Sequence, residues 1–346
     1  MCLIKGKFMR ITRDLLLRLA KENTKERAFN TESIIAAYLS GSLLQDEPLL
    51  GGTTDIDLVF VHNSPPSQPR EIRALSPDIH LDIHHREEKD YDPPRELRSN
   101  PWLGHELYAP QLLYETKHFF EFHQASLRAG FDEPKNLLKR SYKLLNYARK
   151  IWLDFQLNDA DSSPTAILSY LDALHHAANS VAELTGPPLA ERRLLLDFPA
   201  RAEAIERPEF ARGLLGLLGG TEITASSLND WLPAWTHFYE FAAEATGTDI
   251  RIHNARQAYY KSAIEEMLEG ENPLAALYPL LLTWTLSAKS LPETQIDAWE
   301  SACLLLKIGG EHFESRLDGL DQYLDDIEEM LEKTVLSQGF EIAEIV

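Results

Sequence analysis

Cysteine and long apolar runs are scarce in this chain of 346 residues. Cys2 and Cys303 are its two cysteines, so at most one disulfide can form, and free thiols in a cytoplasmic protein are the simpler expectation. No apolar run approaches the roughly 20 residues that a membrane-spanning helix needs. The N-terminal stretch MCLIKGKFMRITRD also lacks the apolar core of a secretion signal. We therefore expect a cytoplasmic protein with no membrane partner.

Positive charge is also in short supply. The chain has 34 Lys and Arg against 54 Asp and Glu, a formal net charge of -20. Nucleic-acid binding depends on Lys and Arg that displace counterions from phosphates, so a nucleic-acid polymer is not the expected partner. Acidic clefts concentrate cations, which leaves small cationic molecules as candidates. The alternative is that the charge only keeps the protein soluble.

The pattern of apolar residues changes about one third of the way along the chain. The first part alternates a helical segment at residues 10–28 with short strand-like runs separated by turn residues. After about residue 117 the apolar residues recur at helical spacing almost to the C-terminus. We expect an α+β unit at residues 1–125 and an all-helical unit at residues 126–346. The predicted strands cover residues 34–39, 55–61, 78–84 and 111–116.

One predicted strand carries two acids among apolar residues. Successive side chains of a strand point to opposite faces, so Asp55 and Asp57 share one face of the strand. Two close carboxylates repel, and their burial is costly unless a cation compensates it. Asp82 lies on the predicted strand 78–84 and joins the same face if the two strands pair. Three converging carboxylates can hold two Mg²⁺ ions, the arrangement that serves phosphoryl and nucleotidyl transfer.

A Gly-Ser pair precedes this strand. Gly41 has no side chain to block the approach of a phosphate to the backbone N–H groups, and the hydroxyl of Ser42 adds a donor. The Gly51-Gly52 pair then provides a tight turn that directs the acidic strand back toward this corner.

These residues resemble a known superfamily. Gly41-Ser42, a gap of twelve residues, Asp55-Ile56-Asp57 and a separate strand acid, Asp82, are similar to the motif of the nucleotidyltransferases typified by DNA polymerase beta. The order of the Gly-Ser pair, the Gly-Gly pair and the Asp-Ile-Asp-Leu segment is most similar to that of the aminoglycoside nucleotidyltransferases of the streptomycin and spectinomycin type. The resemblance covers residues 35–85. It implies a small mixed β-sheet nucleotidyltransferase domain, followed by a helical domain that binds the substrate.

The resemblance also implies a role for each residue. Asp55 and Asp57 would bind the metal ion that carries a nucleoside triphosphate, and together with Asp82 they would bind a second Mg²⁺. Asp82 is the implied general base for the acceptor hydroxyl. Gly41 and Ser42 would hold the β- and γ-phosphates. The implied reaction is in-line attack of a hydroxyl on the α-phosphorus with release of pyrophosphate.

Further candidates lie outside this motif. A basic stripe on the predicted helix at residues 137–155 includes Lys139 and Lys143, and related enzymes often place a lysine of the helical domain against the triphosphate. The alternative for these lysines is a solvated helix face. Some members of the superfamily use a separate glutamate as the base, which here makes Glu96, Glu106 and Glu115 candidates.

The histidines and acids of these strands also permit two other interpretations. His80, Asp82 and His84 share a strand face and would suit a transition metal such as zinc, although the aspartates suit Mg²⁺ better. The acids could also be structural, at the solvated end of a strand.

The sequence favours transfer of a nucleoside monophosphate, AMP from ATP, to a hydroxyl of a small acceptor, for which a cationic molecule is a candidate. One alternative is a regulatory protein that binds NTP and Mg²⁺ without turnover, and another is a nucleotidyltransferase that modifies proteins. The sequence specifies neither the acceptor nor the base of the donor nucleotide.

Overall fold

The computed structural model describes residues 11–158 and 161–345 of the chain. Its first element is helix α1, Arg13–Asn30, which begins at Thr12. The hydroxyl of Thr12 accepts a hydrogen bond from the backbone N–H of Leu15 at 3.3 Å and so satisfies one of the free donors at the start of the helix. Leu16 and Ala20 lie on the buried face of α1, which packs against a β-sheet.

The sheet has five strands, β1 to β5, in the spatial order β3-β4-β2-β1-β5. Strand β2 pairs with β4 in parallel, and the other three pairings are antiparallel, so the sheet is mixed as expected. Four strands match the sequence prediction to within a few residues, but the edge strand β3 was missed. The bounds are β1 Ile34–Ser40, β2 Ile56–His62, β3 Arg70–Ser76, β4 Ile79–Glu87 and β5 Gln111–Glu115.

Both faces of the sheet are covered, which explains why its central strands are apolar on either side. Leu58 and Phe60 of β2 pack with α1 on one face. Val59 and Val61 pack on the other face with helices α2, Leu103–Tyr108, and α3, Phe119–Arg128. A strand buried on both faces can carry charge only near its ends, where other groups reach it.

The rest of the described chain is helical and forms its own apolar core, centred on the nearly all-apolar helix α10. The architecture is therefore α+β, with a small mixed sheet followed by helices, as the sequence predicts. Helix α2 lies in the first part of the chain, where the sequence predicted a helix only at residues 10–28. The helices after α3 are α4 Pro134–Leu157, α5 Pro164–Ala182, α6 Leu194–Ala204, α7 Glu209–Leu217, α8 Ala225–Glu244, α9 Gln257–Glu269, α10 Leu277–Ala288, α11 Asp297–Leu305 and α12 Phe313–Ser337.

A buried ion pair joins the helical part to the layer beside the sheet. Arg140 of α4 donates to Glu183 at 2.5 Å and to the backbone carbonyls of Arg98 and Phe131 at 2.6 and 2.8 Å. His105 of α2 contacts the same carboxylate at 2.9 Å. Since a buried charge is costly without partners, these contacts fix how the two parts meet.

None of the helices in residues 11–158 and 161–345 is both long and apolar enough to cross a bilayer.

Candidate active site

Three aspartates converge where β2 and β4 begin. In the parallel pairing of these strands Asp57 lies beside Asp82, and Asp55 directly precedes β2. One carboxylate oxygen from each of the three lies within 4.8 Å of the others. Asp55 and Asp82 are buried, with 5% and 1% of their surface exposed, and Asp57 is partly buried. The convergence that the sequence predicted is therefore present.

The carboxylate of Asp57 is shielded from solvent and lies beside two other carboxylates. Burial raises the pKa of Asp57 well above its ordinary value, and the neighbouring carboxylates of Asp55 and Asp82 raise it further. The pKa rises although Arg256 and Arg70 act in the opposite direction. A carboxylate in this position gains from a cation that replaces its missing solvation.

Asp82 has the opposite character, because two arginines bind it. Burial would raise its pKa, but Arg70 and Arg256 outweigh burial and hold the pKa at about 2. Arg70 of the edge strand β3 donates to both carboxylate oxygens, at 2.7 and 2.5 Å. Arg256 donates to Oδ2 at 2.5 Å, and Nε2 of His84 lies 3.5 Å from Oδ1. Asp82 is therefore ionised, with its oxygens already engaged.

Arg256 reaches the carboxylates from the helical part of the chain. It ends a short 3-10 turn directly before α9, and only 5% of its surface is exposed. Its second terminal nitrogen lies 3.5 Å from Oδ2 of Asp55, so the guanidinium stands between two of the three aspartates. The preceding turn is fixed by the hydroxyl of Tyr239, which donates to the carbonyls of Arg251 and His253 at 3.0 and 3.1 Å.

The Gly-Ser corner lies against the third aspartate. Ser40, the last residue of β1, pairs with Asp57, and Gly41 follows with a φ of 76°. A Cβ atom at Gly41 would stand 1.9 Å from Oδ2 of Asp57, so only glycine fits. The hydroxyl of Ser42 hydrogen-bonds to that of Thr54 at 2.6 Å. The Gly-Ser corner therefore lies beside the acidic strand.

The loop between the corner and β2 rests on the helical part. Gly51 packs so closely on the backbone of Ser262 in α9 that a Cβ atom would lie 2.1 Å from the Ser262 carbonyl oxygen. The buried Arg192 donates to the backbone carbonyls of Thr53 and Tyr259, at 3.3 and 3.0 Å. These contacts hold the start of β2 against the start of α9. Arg256 directly precedes α9 and is therefore kept near the aspartates.

The histidines of β4 do not complete a metal site with the aspartates. His80 is buried edge-on against Tyr259, with its Nε2 atom unpartnered, and burial is the main reason that its pKa falls to about 4. Within residues 11–158 and 161–345, Asp55, Asp57 and Asp82 form the one group of three or more His, Cys, Asp or Glu side chains close enough to share an ion. The zinc interpretation gains no support from this geometry.

The lysines that the sequence singled out lie on α4. Lys143 is exposed and donates to the hydroxyl of Ser99 at 3.0 Å, and Lys139 is partly buried. Their role in phosphate binding stays a prediction. The cations in contact with the carboxylates are instead Arg70 and Arg256, which sequence reasoning missed. The only signal for Arg70 was a short alternating run after a proline-rich loop, and Arg256 had none.

The other glutamates considered as a base have different partners. Arg86 binds Glu106 with two hydrogen bonds, at 3.1 and 2.6 Å, and the hydroxyl of Tyr38 donates to Glu106 at 2.6 Å. Glu115 accepts the backbone N–H of Phe120 at 2.5 Å, at the start of α3. Both contacts are structural, and Glu96 is exposed.

The donor set fits a hard divalent cation. All three side chains offer oxygen, which Mg²⁺ prefers, and burial together with the two neighbouring carboxylates raises the pKa of Asp57. Asp55 and Asp57 can provide ligands directly. Asp82 can join them only when its contacts to the arginines change.

No family model matches the chain, and no curated protein matches its sequence. Among solved structures it is similar to a nucleotidyltransferase-like protein from Exiguobacterium sibiricum 255-15, with 11% identity over 91% of each chain and a TM-score of 0.29. A similarity this weak carries no information about the site.

Proposed function

We propose that this protein is a metal-dependent nucleotidyltransferase. It transfers a nucleoside monophosphate, in the first instance AMP from ATP, to a hydroxyl of a small acceptor and releases pyrophosphate. The observation that carries the proposal is the convergence of Asp55, Asp57 and Asp82 beside the Gly41-Ser42 corner. Two separate sequence motifs that the superfamily uses for one reaction meet at one place in the fold.

Each residue has a defined task in this reaction. Asp55 and Asp57 provide oxygen ligands for the divalent cation of the nucleotide, and the hydroxyl of Ser42 donates to its terminal phosphates. When bound, the cation neutralises phosphate charge and lowers the pKa of the acceptor hydroxyl. Once its contacts to the arginines have changed, Asp82 takes the proton of the acceptor hydroxyl, while the hydroxyl oxygen bonds to the α-phosphorus and the bond to pyrophosphate breaks. Most of the rate enhancement then comes from position and charge.

The acceptor that we propose is cationic. The net charge of -20 supports this, and so does a cavity of about 610 Å³ between the Gly51 loop and helices α8 and α9. Glu265, Glu266 and Glu269 of α9 line this cavity. Acidic walls raise the local concentration of a cation and the rate at which it arrives.

A second candidate function rests on the arginine contacts of Asp82. A base whose pKa is about 2, with both oxygens held by arginine, cannot accept a proton in this arrangement. A protein that keeps it so would bind NTP and Mg²⁺ without turnover, as a regulatory nucleotide-binding protein would. The two functions differ in whether pyrophosphate is released.

The test is an assay of pyrophosphate release from each of the four NTPs with Mg²⁺ and a panel of hydroxyl-bearing cations. We expect release with one NTP, and its loss in Asp82→Asn, which should still bind the nucleotide. Asp154→Asn, which changes an exposed acid of α4, is the matched control and should behave as wild type.

Three outcomes separate the candidates. Label from an α-phosphate-labelled NTP on a small molecule supports the proposal, whereas label on a protein would favour the protein-directed alternative. Nucleotide binding without release for any acceptor would favour the regulatory protein.

A further inference from the structure

A guanidinium group occupies the space between two of the proposed metal ligands. Arg256 contacts Oδ2 of Asp82 at 2.5 Å and approaches Oδ2 of Asp55 to 3.5 Å. It comes from the helical part of the chain, far in sequence from the aspartates, and is buried. Its own Nε atom is buried without a hydrogen-bond partner. The terminal nitrogens of Arg256 therefore contact carboxylates, whereas the hydrogen-bonding capacity of its Nε atom is unused.

The charges of the site show what this contact does. When all three carboxylates are ionised they carry a charge of -3, and Arg70 and Arg256 bring this to -1. A divalent cation added to this set would leave a net charge of +1, and two cations would leave +3. Cations and guanidinium groups therefore compete for the same carboxylate oxygens, and repel one another when both are present.

A bound nucleoside triphosphate would supply negative charge that offsets the repulsion between the cations and the arginines. Its phosphates carry several negative charges, and an arginine binds phosphate through the same planar set of donors that it uses for a carboxylate. Arg256 has an unused donor, and the Gly41-Ser42 corner, where the phosphates would lie, borders Asp57, which belongs to the same group of three aspartates. Transfer of the Arg256 guanidinium to the phosphates would free Oδ2 of Asp55 and would leave Asp82 with Arg70 as its one arginine partner.

We propose that Arg256 is a positioning residue that couples divalent-cation binding to nucleotide binding. This inference rests on the proposed function. Without nucleotide, Arg256 holds Asp55 and Asp82 and keeps the cation site weak. With nucleotide, it binds the phosphates, and the aspartates take the cation. Arg70 is less suited to this role, because it lies on the sheet itself and contacts Asp82 alone among the three aspartates.

The test measures binding of Mn²⁺ alone, by electron paramagnetic resonance or calorimetry, to the full-length protein. In Arg256→Met the charge is gone and the apolar stem remains, so we expect Mn²⁺ to bind about tenfold more tightly than to wild type, within the usual range of coupling between sites. Arg256→Gln keeps a hydrogen-bond donor without the charge and should change Mn²⁺ affinity in the same direction. It also keeps the test valid if the methionine variant fails to fold.

The second part of the test uses an ATP analogue with a methylene group between the α- and β-phosphates, which cannot react at the α-phosphorus. The gain in Mn²⁺ affinity on adding the analogue includes direct chelation, but chelation is the same in every variant. The difference between wild type and Arg256→Met therefore isolates the arginine. We expect the gain to be about tenfold smaller in Arg256→Met. Arg149→Met, an arginine of α4 paired with α12, is the matched control.

The outcomes separate this inference from the proposed function. If wild type binds Mn²⁺ and the analogue, but Mn²⁺ binds Arg256→Met and Arg256→Gln no more tightly, Arg256 is structural and the inference is wrong while the function stands. If wild type binds neither Mn²⁺ nor the analogue, both are wrong. Arg256→Lys keeps the positive charge and should leave the affinity for Mn²⁺ alone close to that of wild type.

Discussion

Replacement of Asp57 by asparagine should stabilise the protein when no divalent cation is present. Its carboxylate lies within 4.8 Å of those of Asp55 and Asp82. At an effective dielectric constant of about 20, two like charges at this distance repel by about 3.5 kcal/mol. Arg70 and Arg256 offset part of this repulsion, but the raised pKa of Asp57 shows that a penalty remains. We expect Asp57→Asn to raise the free energy of unfolding in EDTA by about 1–3 kcal/mol.

The dependence on pH gives this prediction a definite sign. Because the pKa of Asp57 is raised in the folded protein, ionisation costs more in the folded than in the unfolded state. The cost is absent below the pKa of the unfolded carboxyl and grows as the pH rises toward the pKa of the folded protein. The advantage of Asp57→Asn in EDTA should therefore be larger at pH 8 than at pH 5.

Urea denaturation of wild type and Asp57→Asn, in EDTA and in saturating Mg²⁺ with nucleotide, measures both effects. A ligand at 100 times its Kd adds about 2.7 kcal/mol of stability to the protein that binds it. The order of stability should reverse, with the variant ahead in EDTA and wild type ahead with the ligands. If the variant is less stable than wild type in EDTA by more than about 1 kcal/mol, Asp57 is a structural hydrogen-bonding group and the electrostatic reasoning is wrong.

Three further predictions follow from the geometry. Gly41→Ala should abolish Mg²⁺-dependent nucleotide binding, measured by calorimetry, because the added Cβ atom would stand 1.9 Å from Oδ2 of Asp57. Nucleotide affinity within threefold of wild type would contradict the close contact. Arg140→Met should lower the free energy of unfolding by about 3–5 kcal/mol in urea, because it leaves the buried Glu183 without its main partner, and a loss below about 1 kcal/mol would contradict this. His80, with a pKa near 4 in the folded protein against an ordinary value of 6.5, should cost about 3 kcal/mol of stability as the pH falls from 6.5 to 4. His80→Gln should flatten this part of the stability profile, and an unchanged slope would show that other groups cause it.

The acidic site was predictable because its signals are local. Asp55 and Asp57 interrupt an apolar run at a spacing of two, which places both on one face of a strand. Asp82 lies in a second run with the same alternation, and the pairing of β2 with β4 brings it beside Asp57. Gly41 and Ser42 follow a short apolar run directly, so their position at the end of β1 was also readable.

The arginine contacts were not predictable, because nothing local marks them. Arg256 lies about 170 residues from its carboxylate partner, and its position depends on how α8, α9 and the 3-10 turn between them pack. The edge strand β3 was missed because none of its residues is fully buried and a proline-rich loop precedes it.

Thermal unfolding with each of the four NTPs, with and without Mg²⁺, tests the central claim that the three aspartates form a nucleotide-bound metal site. We predict stabilisation by one NTP that requires Mg²⁺ and disappears in Asp55→Asn and Asp57→Asn. No shift with any NTP, or an equal shift in wild type and both variants, would contradict the account.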